Sequence, residues 1–228
     1  MLTIAFVTQK GGAGKTTLAA SLAVAAAHSG ETVIALDLDP QGSLAAWGSR
    51  REGEGPSFDR LTVERLPQDK LPQLKAILAA LDRKGFTIAV LDTAGVDNAT
   101  SHVAMQAADL CLMPARPSRL DIEATRTTFR AVMRMGRSVA FVLNQCPSTP
   151  KSSRALEAAS GLKMLGVLAD PMICARADYQ DALAAGLGVT EYAPNSKAAL
   201  ESLALWDWAQ KQLRGKVDVT QQQTAVGH

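Results

Sequence analysis

The sequence predicts an α/β fold: a doubly wound, mainly parallel sheet flanked by helices, in a single domain. Three observations carry this expectation. Short aliphatic and β-branched runs recur along the 228 residues, and most are apolar throughout rather than alternating, as strands buried on both faces are. Helical patterns fall between them, and such alternation implies crossover connections and parallel pairing. Hydrophobic residues make up 47% and aromatics only 4%, with abundant Ala and Leu, which favours helices packed on a sheet over a β-sandwich.

In order, the strand candidates are "LTIAFV" (2–7), "TVIALD" (32–37), "LTVERL" (61–66), "FTIAVLD" (86–92), "DLCLMPA" (109–115), "SVAFVLN" (138–144) and "LGVLA" (165–169). Helices are expected at about 15–29, 69–83, 99–108, 118–135, 151–160, 177–185 and 196–214. Residues 50–60, "RREGEGPSFDR", read as an exposed charged loop. Residues 1–214 form the domain, and the polar stretch 215–228 is expected to be a frayed tail.

No apolar stretch approaches the roughly 20 residues that span a bilayer, and "LTIAFV" opens without the layout of a signal peptide. A cytoplasmic protein with no membrane partner is the expectation. Cys111, Cys146 and Cys174 are far apart and odd in number, indicating neither a disulfide framework nor a zinc site. The formal charge of +2 conceals an asymmetry. Residues 1–113 carry 10 Lys/Arg against 12 Asp/Glu, and residues 114–216 carry 14 against 9, which favours a polyanionic partner for the second half.

The sharpest local signal is "TQKGGAGKTT" at 8–17, between a strand and a helix. Glycines let several N–H groups approach an anion, and the helix that follows presents its positive end. Lys15 is spaced to reach the β/γ-phosphates and the Thr16 hydroxyl to ligate Mg²⁺. Gly11, Gly12, Ala13, Gly14, Lys15, Thr16 and Thr17 are the phosphate-binding candidates. The usual pattern would place Gly at position 9, where this chain has Gln9, and it carries a second lysine, Lys10. Asp92, ending the apolar run "FTIAVLD", is placed to hold Mg²⁺ through water.

Together with "DLDPQGS" (37–43) and "LDTAG" (91–95), "KGGAGKTT" resembles the ParA/MinD group of ATPases, most nearly the short ParA-type (ParF-like) partition proteins. The likeness runs from residue 2 to about 210 through "PARPSRLD" (114–121), "FVLNQ" (141–145) and "VTEYAPNSKAALE" (189–201). It implies ATP hydrolysed to ADP with Mg²⁺, and a signature lysine, here Lys10, that crosses an ATP-bound dimer interface to the partner's nucleotide. It assigns Asp39 to the attacking water and Asp37 to the magnesium shell; a helix or turn cap is the alternative for Asp37. Gly95 would let a switch loop approach the γ-phosphate. Asn144 would read the adenine edge, or else serve as a turn residue. The family's Ile-Pro step at the next nucleotide loop is here "LADPMIC", which points to Pro171.

Basic residues supply the DNA candidates. Arg126, Arg130 and Arg134 follow an i, i+4, i+8 row, with Arg116, Arg119 and Arg137 nearby, and Lys197, Lys211, Arg214 and Lys216 lie on or beyond the last helix. Such a row tracks a phosphate backbone without reading bases, or is a solvated helix face. Iron–sulfur relatives need positioned cysteines, tyrosine kinases a terminal tyrosine cluster and membrane-cycling relatives a terminal amphipathic helix; the sequence has none of these. The expectation is an ATP-sandwiched homodimer that coats nonspecific DNA, associates with the nucleoid and is stimulated by a ParB-like or cargo-adaptor partner. The alternative is a switch that positions a protein assembly such as a chemoreceptor cluster, a conjugation complex or secretion machinery.

Overall fold

The computed structural model describes residues 1–54, 60–95, 99–149 and 152–225, with side chains given for 1–51, 60–95, 99–149 and 152–215. Six strands, β1 (Leu2–Phe6), β2 (Val33–Asp37), β3 (Leu61–Arg65), β4 (Ile88–Asp92), β5 (Leu110–Ala115) and β6 (Ser138–Leu143), form one sheet in the order β3-β2-β4-β1-β5-β6. Every pairing is parallel.

Alternate residues of each strand face different layers. Ile4 and Phe6 pack against α1 (Lys15–His28), α2 (Ser43–Glu54), α7 (Ala177–Ala184), α8 (Val189–Tyr192) and α9 (Lys197–Ala225), where Trp47 and Trp206 are the largest fully buried side chains. Ala5 and Val7 face α3 (Leu74–Arg83), α4 (Ala99–Ala107), α5 (Arg119–Arg134) and α6 (Ser153–Leu165). Both faces of the sheet are thus covered, which is why its inner strands read as continuous apolar runs.

Several expectations change. The run 165–169 is not a strand: α6 extends to Leu165, and only the single bridge Phe141↔Leu168 adds to the β6 edge. Residues 50–54 belong to α2 rather than to a loop, while 55–59 lie outside the described residues. Pro72 sits in a 3₁₀ turn, Gln68–Gln73, which converts the expected 69–83 helix into a turn followed by α3. The short helix α8 was not expected. Helix α6 starts at Ser153, capped by Ser152; residue 151 of the expected 151–160 helix lies outside the described residues. The polar stretch expected to fray continues α9 to Ala225, since Gly215 is its single interruption and no proline follows; residues 226–228 lie outside the described residues.

Candidate nucleotide-binding site

The carboxyl ends of β1, β2, β4 and β6 deliver the candidates to one edge of the sheet, the usual place for ligands in open α/β folds. Residues 8–14 turn from β1 into α1, with Gly12 and Gly14 at φ of 73° and 89°. Gly14 is required twice over, because a Cβ there would also run into the Asn144 amide. The first N–H groups of α1 have no partner within the helix and converge on this turn.

Lys15 and Asp92 occupy the floor. Lys15 is 7% exposed and Asp92 fully buried. Burial lowers the Lys15 ammonium pKa, and the charges of Asp92 and Asp39 act in the opposite direction. Burial also raises the Asp92 carboxyl to about 7, although the Thr16 hydroxyl, which donates to its Oδ2 at 2.6 Å, opposes the rise. Asp92 Oδ1 is buried and has no hydrogen-bond partner. An orphaned carboxylate oxygen beside a threonine hydroxyl fits a hard cation. Among the described residues no cluster of three or more His, Cys, Asp or Glu could form a metal cage, so such a cation would draw its other ligands from water and phosphate.

Asp37 lies beside Asp92 in register, but both its oxygens are engaged. Oδ1 accepts the Asp39 N–H at 3.0 Å and Oδ2 the Ala45 N–H at 2.9 Å. It therefore caps the start of α2, the alternative open at the level of sequence. Asp39 is half-buried, its Oδ1 accepts the Gln41 N–H at 2.9 Å, and its charge acts on Lys15.

Lys10 is in a different setting. Its Nζ lies 3.1 Å from Asp121 Oδ2, on the first turn of α5, with its side chain 33% exposed. Asp121 also accepts from Arg116 Nε at 3.1 Å and from the Ser118 hydroxyl. Burial works against ionisation, but hydrogen bonds from Ser118, Lys10 and Arg116 hold its carboxyl below the ordinary range. Gly95 packs directly on this part of the loop: a Cβ there would lie 3.0 Å from Gly11 Cα and N. Residues 96–98, where the expected switch loop continues, lie outside the described residues.

A cavity of about 360 Å³ adjoins the loop, lined by residues that include Gly14, Thr17, Asn144, Cys174, Arg176 and Gln180. Asn144 Nδ2 donates to the Ala13 carbonyl at 2.8 Å, so its amide braces the loop as well as facing the cavity. Gln145, at φ 54°, repeats this with Gly12 at 2.9 Å; the dipeptide "NQ" was the available signal for it. Pro171 is not among the lining residues. Cys146 N–H donates to Ile173 O at 2.9 Å and Ala175 N–H to Cys146 O at 2.8 Å, and this bridge brings residues 173–177 to the cavity instead.

The basic candidates do not form one surface. Arg126, Arg130 and Arg134 are exposed along α5, whose Val132 packs into the layer beneath Ala5 and Val7. Lys197 and Lys211 are exposed on α9, in the opposite layer, and Arg214 is engaged by Glu31 at 2.7 Å. The side chain of Lys216 lies outside the described residues. No helix among the described residues is long and apolar enough to cross a membrane.

Residues 4–202 match the family model described as the CobQ/CobB/MinD/ParA nucleotide binding domain. The chain is 32% identical over 214 residues to the maintenance of carboxysome distribution protein A of Gloeobacter kilaueensis, covering 92% of this chain and 87% of that protein. Its fold is shared with an ATP complex of a McdA variant from Cyanothece (TM-score 0.74, 19% identity, 94% of this chain and 96% of that one). It is shared equally with the Mg-ADP complex of the septum site-determining protein MinD of Pyrococcus horikoshii (TM-score 0.74, 20% identity, 92% and 96%). A family match across most of the chain, on a loop whose glycines, lysine and buried aspartate form one site, shows that this protein belongs to the MinD/ParA nucleotide-binding family.

Proposed function

We propose that the protein is an ATP-dependent, dimerising switch ATPase that positions a cargo inside the cell. The observation that carries the reading is the juxtaposition at the sheet edge. Lys15 and the Thr16–Asp92 pair sit on the floor, with an unpartnered Asp92 oxygen, under a loop of α1 N–H groups. In this reading residues 11–17 and Lys15 hold the triphosphate of ATP, and Thr16 and Asp92 hold Mg²⁺. The magnesium ion would neutralise charge on the phosphates when bound. Asp39 orients the attacking water, and Asp37 fixes the turn that carries it. Lys10 leaves its own chain's Asp121 to reach the nucleotide of a second copy, and hydrolysis to ADP ends the dimer.

Nonspecific DNA is the proposed track, engaged only by the ATP dimer and released when a partner protein stimulates hydrolysis; the protein would then be cytoplasmic and nucleoid-associated in its ATP form. The exposed row on α5 supports this, since arginines at one-turn spacing suit a phosphate backbone. Two readings of the cargo follow. A plasmid or chromosome, through a ParB-like partner, is the first. A protein assembly is the second, and one observation favours it: the relative aligned along most of the chain is a carboxysome distribution protein, whereas the ParA protein of Rhizobium radiobacter aligns over 53% of it. The experiment is DNA binding with ATP and with ADP at low and high salt. ATP-dependent binding that weakens with salt is expected, and no ATP-dependent binding at low salt would remove DNA from the scheme.

A further inference from the structure

The far wall of the cavity is organised by a residue that does not line it. Glu201, on the second turn of α9, is 14% exposed in its side chain. Its Oε2 accepts the Cys174 N–H at 3.0 Å, and its Oε1 accepts Arg176 Nε and an Arg176 terminal nitrogen at 3.1 and 2.6 Å. One carboxylate therefore fixes both ends of the segment Cys174–Ala175–Arg176, all three of which line the cavity. One turn earlier on α9, the Ala198 carbonyl accepts the hydroxyl of Tyr179, another lining residue, at 3.0 Å. The phosphate loop lies across Gly14 from this wall, so the cavity has a phosphate end made by residues 11–17 and an opposite end held by α9.

A guanidinium held edge-on by a carboxylate keeps its flat face free to lie on an aromatic ring, and a fixed guanidinium loses less side-chain entropy on binding. We propose that Glu201 is a positioning residue for the base of the bound nucleotide. Through Arg176 it presents a face on which either purine stacks, and by fixing the 174–176 backbone through Cys174 N–H it sets the hydrogen-bonding groups that distinguish one base from another. The proposal rests on the ATP reading of the cavity.

Calorimetric titration of the full chain with Mg²⁺-ATP and Mg²⁺-GTP separates the two claims, using wild type, Glu201→Ala, Glu201→Gln and Arg176→Ala. Wild type is expected to prefer ATP. Glu201→Ala should lose roughly tenfold in ATP affinity, the scale of one buried charge-assisted hydrogen bond, with little change for GTP, so that the preference collapses. Glu201→Gln, which keeps one oxygen acceptor, should recover part of the preference. Adding Glu201→Ala to Arg176→Ala should lower the ATP/GTP preference further, because the Cys174 N–H then loses its acceptor as well. An unchanged ATP/GTP preference in Glu201→Ala, whether both affinities fall together or neither does, would overturn the proposal, as would a wild type that binds the two nucleotides equally. A wild type that binds neither would overturn the ATP reading itself.

Discussion

Lys15 and Lys10 stand five residues apart in one loop, yet their surroundings have little in common. Lys15 is almost wholly buried at the centre of the sheet edge, with the charges of Asp92 and Asp39 acting on it, and in the proposed reading a phosphate completes the arrangement within a single chain. Lys10 is one-third exposed at the loop's outer side and spends its charge on Asp121, which already has Arg116 and Ser118. The first is built into the floor of a site. The second is held at the loop's outer side by an ion pair whose lysine is one-third exposed and whose aspartate is buried. Two like residues in one motif therefore differ in their surroundings, and in the proposed reading Lys15 stays in its own site while Lys10 exchanges partners.

The largest effect should follow from Lys15→Ala. Removing the buried ammonium from a phosphate costs about 2–5 kcal/mol, so calorimetry should detect no ATP binding in the micromolar range. Wild-type affinity in that variant would erase the distinction between the lysines. Asp39→Ala should leave ATP binding intact and slow hydrolysis by roughly 10²-fold or more, the usual worth of a group that orients or deprotonates water. The variant should then accumulate as a dimer on sizing with ATP; a monomer would remove Asp39 from the hydrolytic step. Gly14→Ala should weaken nucleotide binding and lower the melting temperature together, because the φ of 89° and the Asn144 amide both oppose a Cβ. A smaller change is expected of Arg130→Ala, which should weaken DNA binding uniformly across sequences and reduce the salt slope by about 1. The same change at Lys211, on the opposite face, shows which layer meets DNA: an effect at Lys211 alone would move the interface to α9.

The parts of this site that were legible in the sequence are those where one short segment carries the whole chemistry. Residues 11–17 announce a phosphate loop because the glycines, lysine, threonine and helix start are contiguous, and Asp92 is marked by the apolar strand before it. Asp37 was ambiguous because its neighbours look alike whether it binds metal or caps a helix; the N–H groups of Asp39 and Ala45 show the cap, and each oxygen keeps a lone pair for a water of a magnesium shell. Helix α2 itself escaped notice because its apolar anchors are only Leu44 and Trp47, and the Trp47 indole N–H reaches Leu187 across 140 positions. Pro171 fell short of the cavity because the register of an irregular segment is set by its bridge to Cys146, which local pattern does not encode. The two basic clusters are separate in the sequence, and the sheet places them on opposite sides. Glu201 had no signal of its own, since its role appears only once Cys174 and Arg176 are brought to it.

The central claim is that Lys10 serves a second subunit while Lys15 serves its own. Sizing chromatography of wild type and Lys10→Ala, each with ATP and with ADP, tests it most directly, with nucleotide affinity measured on the same samples. Wild type should run as a dimer with ATP and a monomer with ADP, and Lys10→Ala should remain a monomer with ATP while its nucleotide affinity changes by no more than about fivefold, because Asp121 keeps Arg116 and Ser118 when the lysine is removed. A Lys10→Ala protein that still dimerises with ATP would contradict the account and leave Lys10 as a loop charge paired with Asp121.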